Sequence, residues 1–207
     1  RECGLTSRVL RPTILIVDEA SQIPATAYWP ALTLYEKTLE KLCFVGDHKQ
    51  LAPYGSNDVK SLESIFEQKH LVKAAYFLDT QYRMPHPIGQ FISANVYESK
   101  LKTVHPIESL NSLRLVDVQG GETPGGHSTK NEREARCCIK IARQVTGKDW
   151  RILTAYDAQR QLIEDMLKAE NLPWEDRVFN VDSFQGNEAD YIIVSLVRTK
   201  FPGFLRD

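Results

Sequence analysis

The sequence predicts an α/β protein built on mainly parallel sheets, and two observations carry the prediction. Apolar runs rich in β-branched residues recur along the chain and alternate with stretches of helical periodicity, the pattern of strands covered on both faces. Two of these runs, Ile14-Leu15-Ile16-Val17 and Leu42-Cys43-Phe44-Val45, end in the polar strings Asp18-Glu19-Ala20-Ser21-Gln22 and Gly46-Asp47-His48-Lys49-Gln50-Leu51. In an open parallel sheet the carboxyl ends of the strands are where ligands bind, so acids and amides placed there are better candidates for chemistry than for packing.

Taken in chain order, the first strand is expected over 13–17 and a helical stretch over 24–38, followed by a second strand over 42–46. A helical stretch over 61–68 and a strand over 75–78 come next. After Pro85 and Pro87 a helix over 87–97 presents Ile88, Phe91, Ile92 and Val96 at amphipathic spacing. A strand over 113–118 leads into Gly120-Gly121-Glu122-Thr123-Pro124-Gly125-Gly126, which reads as a surface loop. Helices over 131–145 and 157–169 flank a strand over 151–155. The second of these helices opens on Asp157 as its N-cap and shows an apolar face of Leu162, Ile163, Met166 and Leu167. Strands over 178–181 and 191–197 complete the pattern, with no internal repeat and no low-complexity tract.

At 207 residues the chain has room for one large or two small domains, and 42% hydrophobic with 26% charged residues is ordinary for a globular protein. The longest apolar stretches, 14–17 and 191–197, fall far short of the roughly 20 residues of a membrane helix, so no membrane partner is expected. The start, Arg1-Glu2-Cys3-Gly4, has neither a signal-peptide core nor an initiator Met, and reads as an excised piece. Cys3, Cys43, Cys137 and Cys138 form no Cys-x-x-Cys pair, and adjacent Cys137 and Cys138 cannot close an unstrained bridge. The cysteines therefore point to a reducing compartment and to no zinc. The net charge of -1 gives no global attraction to nucleic acid, although local amides, hydroxyls and a few cations suffice to hold a strand.

Four strings carry chemistry. A strand ending in Asp18-Glu19 can bring a metal-orienting acid and a base beside a γ-phosphate; its structural alternative is a strand end with a helix cap. Gln50, in Gly46-Asp47-x-x-Gln50-Leu51, can reach that phosphate from a neighbouring loop, or sit in a merely polar turn. Arg83 in Gln81-Tyr82-Arg83-Met84 can neutralise charge on a transferring phosphoryl group, or form a structural ion pair. The fourth string is Val181-Asp182-Ser183-Phe184-Gln185-Gly186-Asn187-Glu188-Ala189-Asp190. It can bring backbone amides to phosphates and a carboxylate to a ribose hydroxyl.

All four in this order resemble the helicases of superfamily one, in the branch that includes the nonsense-mediated-decay RNA helicase, senataxin and the immunoglobulin-mu-binding-protein helicase. The resemblance runs from Cys3-Gly4 to Arg198-Thr199. It implies a RecA-like P-loop NTPase fold: the C-terminal part of one RecA-like domain over 1–78 and most of a second over 79–207. It also implies ATP and Mg²⁺ as cofactors and single-stranded RNA or DNA as partner, with protein partners of a larger complex. Carried over by residue, Asp18 would bind Mg²⁺, Glu19 would be the general base, Gln50 would contact the γ-phosphate and Arg83 would be the arginine finger. Tyr82 would lie near the base or ribose, with Gly186 and Glu188 at the nucleotide. Ile152-Leu153-Thr154-Ala155-Tyr156-Asp157-Ala158-Gln159 is similar to the family's Thr-Pro-Tyr-x-x-Gln segment. Thr154, Tyr156, Gln159 and Ser183 are therefore candidate strand contacts, with a plain helix start as the alternative for Tyr156 and Gln159.

Two departures stand out. Ala155 replaces the family's common Pro, and no Gly-x-x-x-x-Gly-Lys-Ser/Thr phosphate cradle occurs. In the family the cradle lies upstream of the acidic strand end, and a last arginine motif lies beyond Arg198, so this chain is expected to be missing both ends and to be inactive alone. An exposed, unpaired sheet edge would then invite aggregation; were the protein no longer than this, a partner or a folded core confined to 79–207 would be expected. Two other readings stay open: a non-catalytic helicase remnant serving as a nucleic-acid or protein scaffold, and a different P-loop enzyme such as a nucleotide kinase or transport ATPase.

Overall fold

Parallel strand pairs organise the chain in the computed structural model, which describes residues 11–199 apart from 54, 57, 58, 60 and 61. Cys3 and the first residue of the expected 61–68 helix lie outside the described residues. Contacts divide the chain into two units, Arg1–Arg114 and Leu115–Asp207. The sequence reading draws its boundary after residue 78, whereas segment 79–114 groups with the residues before it, tied to them by the Tyr97 hydroxyl on Asp47.

In the first unit β1 (Ile14–Val17) pairs in parallel with β2 (Lys41–Phe44), Ile14 opposite Lys41 and Val17 opposite Phe44. This register makes both strands end side by side, so the two polar strings leave the sheet at one edge. The stretch between them is less helical than its periodicity suggests. It runs through 3-10 turns at Ala20–Gln22 and Ala25–Tyr28 before α1 (Trp29–Tyr35), where Pro30 occupies the first turn, the place in a helix that tolerates it. Tyr28 anchors this stretch. Its ring meets Phe44 edge-on at 5.1 Å and its hydroxyl donates to the Ala20 carbonyl at 3.2 Å.

The expected helix over 61–68 shrinks to a 3-10 turn, Ile65–Glu67, which Ser64 and Glu67 close as a reciprocal capping box, followed by α2 (Lys69–Val72). Residues 75–78 do not form the expected strand. Tyr76 is 96% exposed, and with no ladder partner among the described residues the run stays irregular. The strand forms just beyond it: β3 (Thr80–Gln81) pairs in parallel with β4 (Lys102–Thr103), and α3 (His86–Val96) crosses between them.

The second unit opens with another difference. Residues 113–118 form no strand, and Leu115 is 94% exposed, again for want of a neighbour among the described residues. The glycine-rich loop is in part ordered, because β5 (Thr123–Gly125) pairs antiparallel with β6 (Ser128–Lys130). Then come α4 (Glu132–Gln144), β7 (Trp150–Thr154), α5 (Asp157–Ala169), β8 (Val178–Asn180), the short α6 (Val181–Phe184) and β9 (Tyr191–Ser195). The three strands form one parallel sheet in the order β8-β7-β9, with the central β7 buried at alternate positions.

Strand alternation sends Ile152 and Ile193 to the face covered by α4 and α5. There they meet Ala135, Cys138, Ile139, Trp150, Ile163 and Leu167, with Leu162 and Met166 at the margin as the periodicity of α5 requires. Each large side chain fully buried there contributes about 1.5–3 kcal/mol. Burial pushes the Cys138 thiol up to about 12, so it behaves as a small apolar group. Two expectations are corrected here. Tyr156, not Asp157, is the N-cap of α5, because Asp157 already belongs to the helix and accepts Asn180 Nδ2 at 2.7 Å. The opposite sheet face, expected to be covered, carries exposed Ile192 and Val194 on β9. No helix among the described residues is long and apolar enough to cross a membrane.

Candidate functional site

The acidic string turns sharply where β1 ends. Glu19 adopts a left-handed conformation, φ 50° and ψ 35°, which costs a non-glycine residue about 1 kcal/mol or more. Its N–H donates to Asp18 Oδ1 at 2.9 Å, and its Oε2 accepts Gln22 Nε2 at 3.0 Å. Both carboxylates are exposed. The turn aims two acids outward at the carboxyl edge of a parallel pair and braces the second of them with an amide.

Gly46 lets the second polar string approach this turn. A Cβ there would lie 2.8 Å from the Ser21 backbone nitrogen and 2.9 Å from Phe66 Cε2. The ladder continues past the strands, with Val45 N–H on Val17 O at 2.8 Å and Ala20 N–H on Val45 O at 2.9 Å. Asp47 is the hub of the junction. Its N–H donates to Ser21 Oγ at 3.3 Å, its Oδ1 accepts Lys49 N–H at 3.0 Å, and its Oδ2 accepts Gln50 Nε2 at 3.0 Å and the Tyr97 hydroxyl. Gly46→Ala should therefore destabilise this unit by about 1–3 kcal/mol through forced overpacking, read as a lower denaturant midpoint at unchanged slope.

Arg83 sits on a turn that Gln81 fastens. Gln81 Oε1 accepts Met84 N–H at 2.7 Å, and Nε2 donates to Met84 O at 2.9 Å and Thr103 Oγ1 at 2.8 Å. Gly89 of α3 leaves room for this clamp, since a Cβ there would fall 2.0 Å from Thr103 Oγ1 and 2.7 Å from Gln81 Nε2. Tyr82 and Arg83 are exposed on the tip of the turn. The clamp spends one buried-side amide to present an aromatic ring and a guanidinium.

In the second unit the expected strand contacts separate into two groups. Thr154 and Gln159 are fully buried, and Tyr156 nearly so, its phenol raised by that burial. The Gln159 amide is engaged throughout: Oε1 accepts Asn131 N–H at 2.7 Å, and Nε2 donates to Asn131 O at 3.1 Å and Ser195 Oγ at 3.0 Å. Ser195 Oγ in turn donates to Glu134 Oε2 at 2.7 Å, which also accepts the N–H of Val197 at 2.9 Å. Gln159 in this arrangement supports the end of β9 from inside. Ser183, Gly186 and Glu188 are exposed, Ser183 Oγ donating to Asn180 O at 2.9 Å and Gly186 in a positive-φ turn at 79°.

The structure thus joins Asp18, Glu19 and Gln50 at one edge, and places Tyr82 and Arg83 in the same unit on a separate turn. Sequence reasoning passes over Gln81, Asp47, Ser21, Tyr97, Asn131 and Glu134. The Asn131-x-x-Glu134 spacing ahead of a helix is a capping signature that could have found the last two, and the Asn131 side chain does accept Glu134 N–H at 3.2 Å. The donors at the joined edge suit a magnesium triphosphate. Mg²⁺ carried on phosphates needs one or two carboxylates rather than a protein cage, and among the described residues no three His, Cys, Asp or Glu converge as one.

Parallel pairs with acids and an amide at their carboxyl edge, and in the same unit a clamped arginine turn, are the features of a RecA-like α/β fold. Residues 59–207 match the AAA domain family, and the chain belongs to it, within the superfamily 1 helicases of the nonsense-mediated-decay branch. It is 33% identical over 93% of its length to mouse "3'-5' exoribonuclease HELZ2", of which it covers 7%. It is 30% identical to the DNA polymerase alpha-associated DNA helicase A of Saccharomyces cerevisiae, over 93% of this chain and 35% of that protein. It is also 30% identical to the ATP-dependent helicase upf1 of Schizosaccharomyces pombe, over 89% of this chain and 23% of that one. The chain spans about a third or less of the length of these relatives.

Proposed function

We propose that the protein containing this chain is an ATP-dependent helicase whose Mg²⁺-dependent ATP hydrolysis is stimulated by single-stranded RNA or DNA and drives movement along the strand. The observation that carries this is the junction of Asp18-Glu19 with Gln50 through the β1–β2 register and the Ser21–Asp47 bond. In it Asp18 holds Mg²⁺, Glu19 takes the proton of the attacking water, and Gln50 faces the γ-phosphate. The Mg²⁺ that Asp18 would hold would supply charge neutralisation at the phosphates. Arg83 adds a cation on the transferring group, Tyr82 contacts the base or ribose, and Gly186 and Glu188 contribute backbone and carboxylate contacts to the nucleotide. Ser183 belongs to the strand side, with Thr154, Tyr156 and Gln159 shaping it from within.

The two RecA-like portions are 1–78 and 79–207, working in a reducing nuclear or cytoplasmic setting with protein partners. A scaffold would have no use for Asp18, Glu19, Gln50 and Arg83 together, which weighs against the non-catalytic reading. The test is ATP turnover by the full-length protein with and without single-stranded RNA and DNA. Strand-stimulated turnover is expected, while the 207 residues alone, lacking a Gly-Lys-Ser/Thr cradle, give none. Strand binding without turnover in the full-length protein would overturn the reading in favour of a scaffold.

A further inference from the structure

We propose that Tyr97 is a positioning residue for ATP hydrolysis: its hydroxyl, donated to Asp47 Oδ2, fixes the loop that carries Gln50 and ties it to the helix that follows the Arg83 turn. This rests on the nucleotide site proposed above and extends it to a residue fifty positions from Asp47 in sequence.

The Tyr97 side chain is held firmly enough to do this. It follows the last residue of α3, where its N–H donates to Ser93 O at 3.1 Å and its carbonyl accepts Lys100 N–H at 2.8 Å. Glu98 and Ser99 both take positive φ, 53° and 62°, so the chain reverses immediately after Tyr97 and fixes where it points. Ser93 Oγ donates to Leu101 O at 2.7 Å, locking the reversal to the start of β4. Phe77 packs against the phenol ring at 6.3 Å between centroids. Desolvation, then the hydrogen bond to Asp47, raises the phenol, which keeps the hydroxyl protonated as a donor across neutral pH. Beside it, Lys49 lies close enough to Glu98 to help hold that carboxyl below its usual range, after the larger effect of Lys100.

A continuous series of bonds follows. The Arg83 turn is clamped by Gln81, and Gln81 bonds Thr103 of β4. The strand β4 packs on α3, which ends at Tyr97; Tyr97 bonds Asp47, and Asp47 bonds both Gln50 and Ser21 next to the acidic turn. Gln50 Nε2 and the Tyr97 hydroxyl share one oxygen, Asp47 Oδ2. Loss of the hydroxyl removes one of the three bonds to the Asp47 carboxylate, on the oxygen that also holds Gln50, and so loosens the Gln50 amide.

The experiment is Tyr97→Phe in the full-length protein, which removes one oxygen and keeps the ring. The strand-stimulated kcat is expected to fall roughly tenfold with KM for ATP within about twofold, the size of one hydrogen bond to a charged group. Asp47→Ala should also lower kcat, and adding Tyr97→Phe to it should change nothing further, since both act through one carboxylate. In parallel, amide exchange at Lys49, whose N–H bonds Asp47 Oδ1, should quicken in Tyr97→Phe whether or not ATP is turned over. Unchanged kcat in Tyr97→Phe, a full additional loss in the Asp47→Ala background, or unchanged Lys49 exchange beside normal wild-type turnover each overturn the proposal. Wild-type protein without turnover overturns the nucleotide reading itself, a failure visible before any variant is compared.

Discussion

Arg83→Ala in the full-length protein is expected to lower strand-stimulated ATP turnover by about 10³-fold or more, the scale on which arginine fingers act. The geometry explains why the loss should be in chemistry and not in folding. Arg83 is exposed, and the turn beneath it is fastened by Gln81 through bonds to Met84 and Thr103 that the substitution does not touch. With that clamp intact the turn should stay folded, and a melting curve of the variant separates any loss of stability from the loss of rate. Arg83→Lys should recover only a small part of the rate, because an ammonium lacks the planar two-pronged contact a guanidinium makes with phosphate oxygens. Gln81→Leu supplies the contrast, since it leaves Arg83 in place but removes the clamp and should lower rate and stability together. Turnover in Arg83→Ala within threefold of wild type would remove Arg83 from the reaction.

Much of this was legible in the sequence because the signals were local. Periodicity found α3, α4 and α5 to within a residue or two; α4 and α5 each bury an apolar stripe at helical spacing, while α3, which buries only Gly89 and Ser93, is marked by the prolines at its start. The Asp18, Gln50 and Arg83 strings were visible because polar residues follow directly on apolar runs. What escaped notice was pairing. Residues 75–78 and 113–118 have strand composition, yet a strand exists only where a neighbour offers its amides and carbonyls, and none does so among the described residues. The reverse held at 123–125, where glycine and proline concealed a short ladder to 128–130. Asp47, Tyr97 and the Asn131-Glu134-Gln159-Ser195 network were hidden for a related reason. Each acquires its role from a partner 28 to 61 residues distant, as with Asn131 and Gln159 or Glu134 and Ser195, which no window along the chain can register.

Glu19→Gln, in the same full-length protein, should abolish turnover by a different route, a loss of about 10²- to 10⁴-fold from the missing base. The substitution is nearly isosteric, and the amide oxygen it introduces can still accept Gln22 Nε2, which now bonds Glu19 Oε2 at 3.0 Å. The left-handed backbone at Glu19 is a property of the turn and the Asp18 Oδ1 bond to its N–H, so the loop should keep its shape. ATP binding should therefore persist while hydrolysis stops, and strand affinity measured with ATP present should rise or hold. Asp18→Asn separates the two acids. Weakening a hard oxygen ligand should raise the Mg²⁺ concentration needed for half-maximal rate, and excess Mg²⁺ should restore part of the activity, whereas no concentration of Mg²⁺ restores Glu19→Gln. If instead Mg²⁺ rescues Glu19→Gln and not Asp18→Asn, the two carboxylates exchange roles. If neither variant alters turnover, the edge where β1 and β2 end is not where ATP is hydrolysed, and the exposed acids there are simply the cap of a turn.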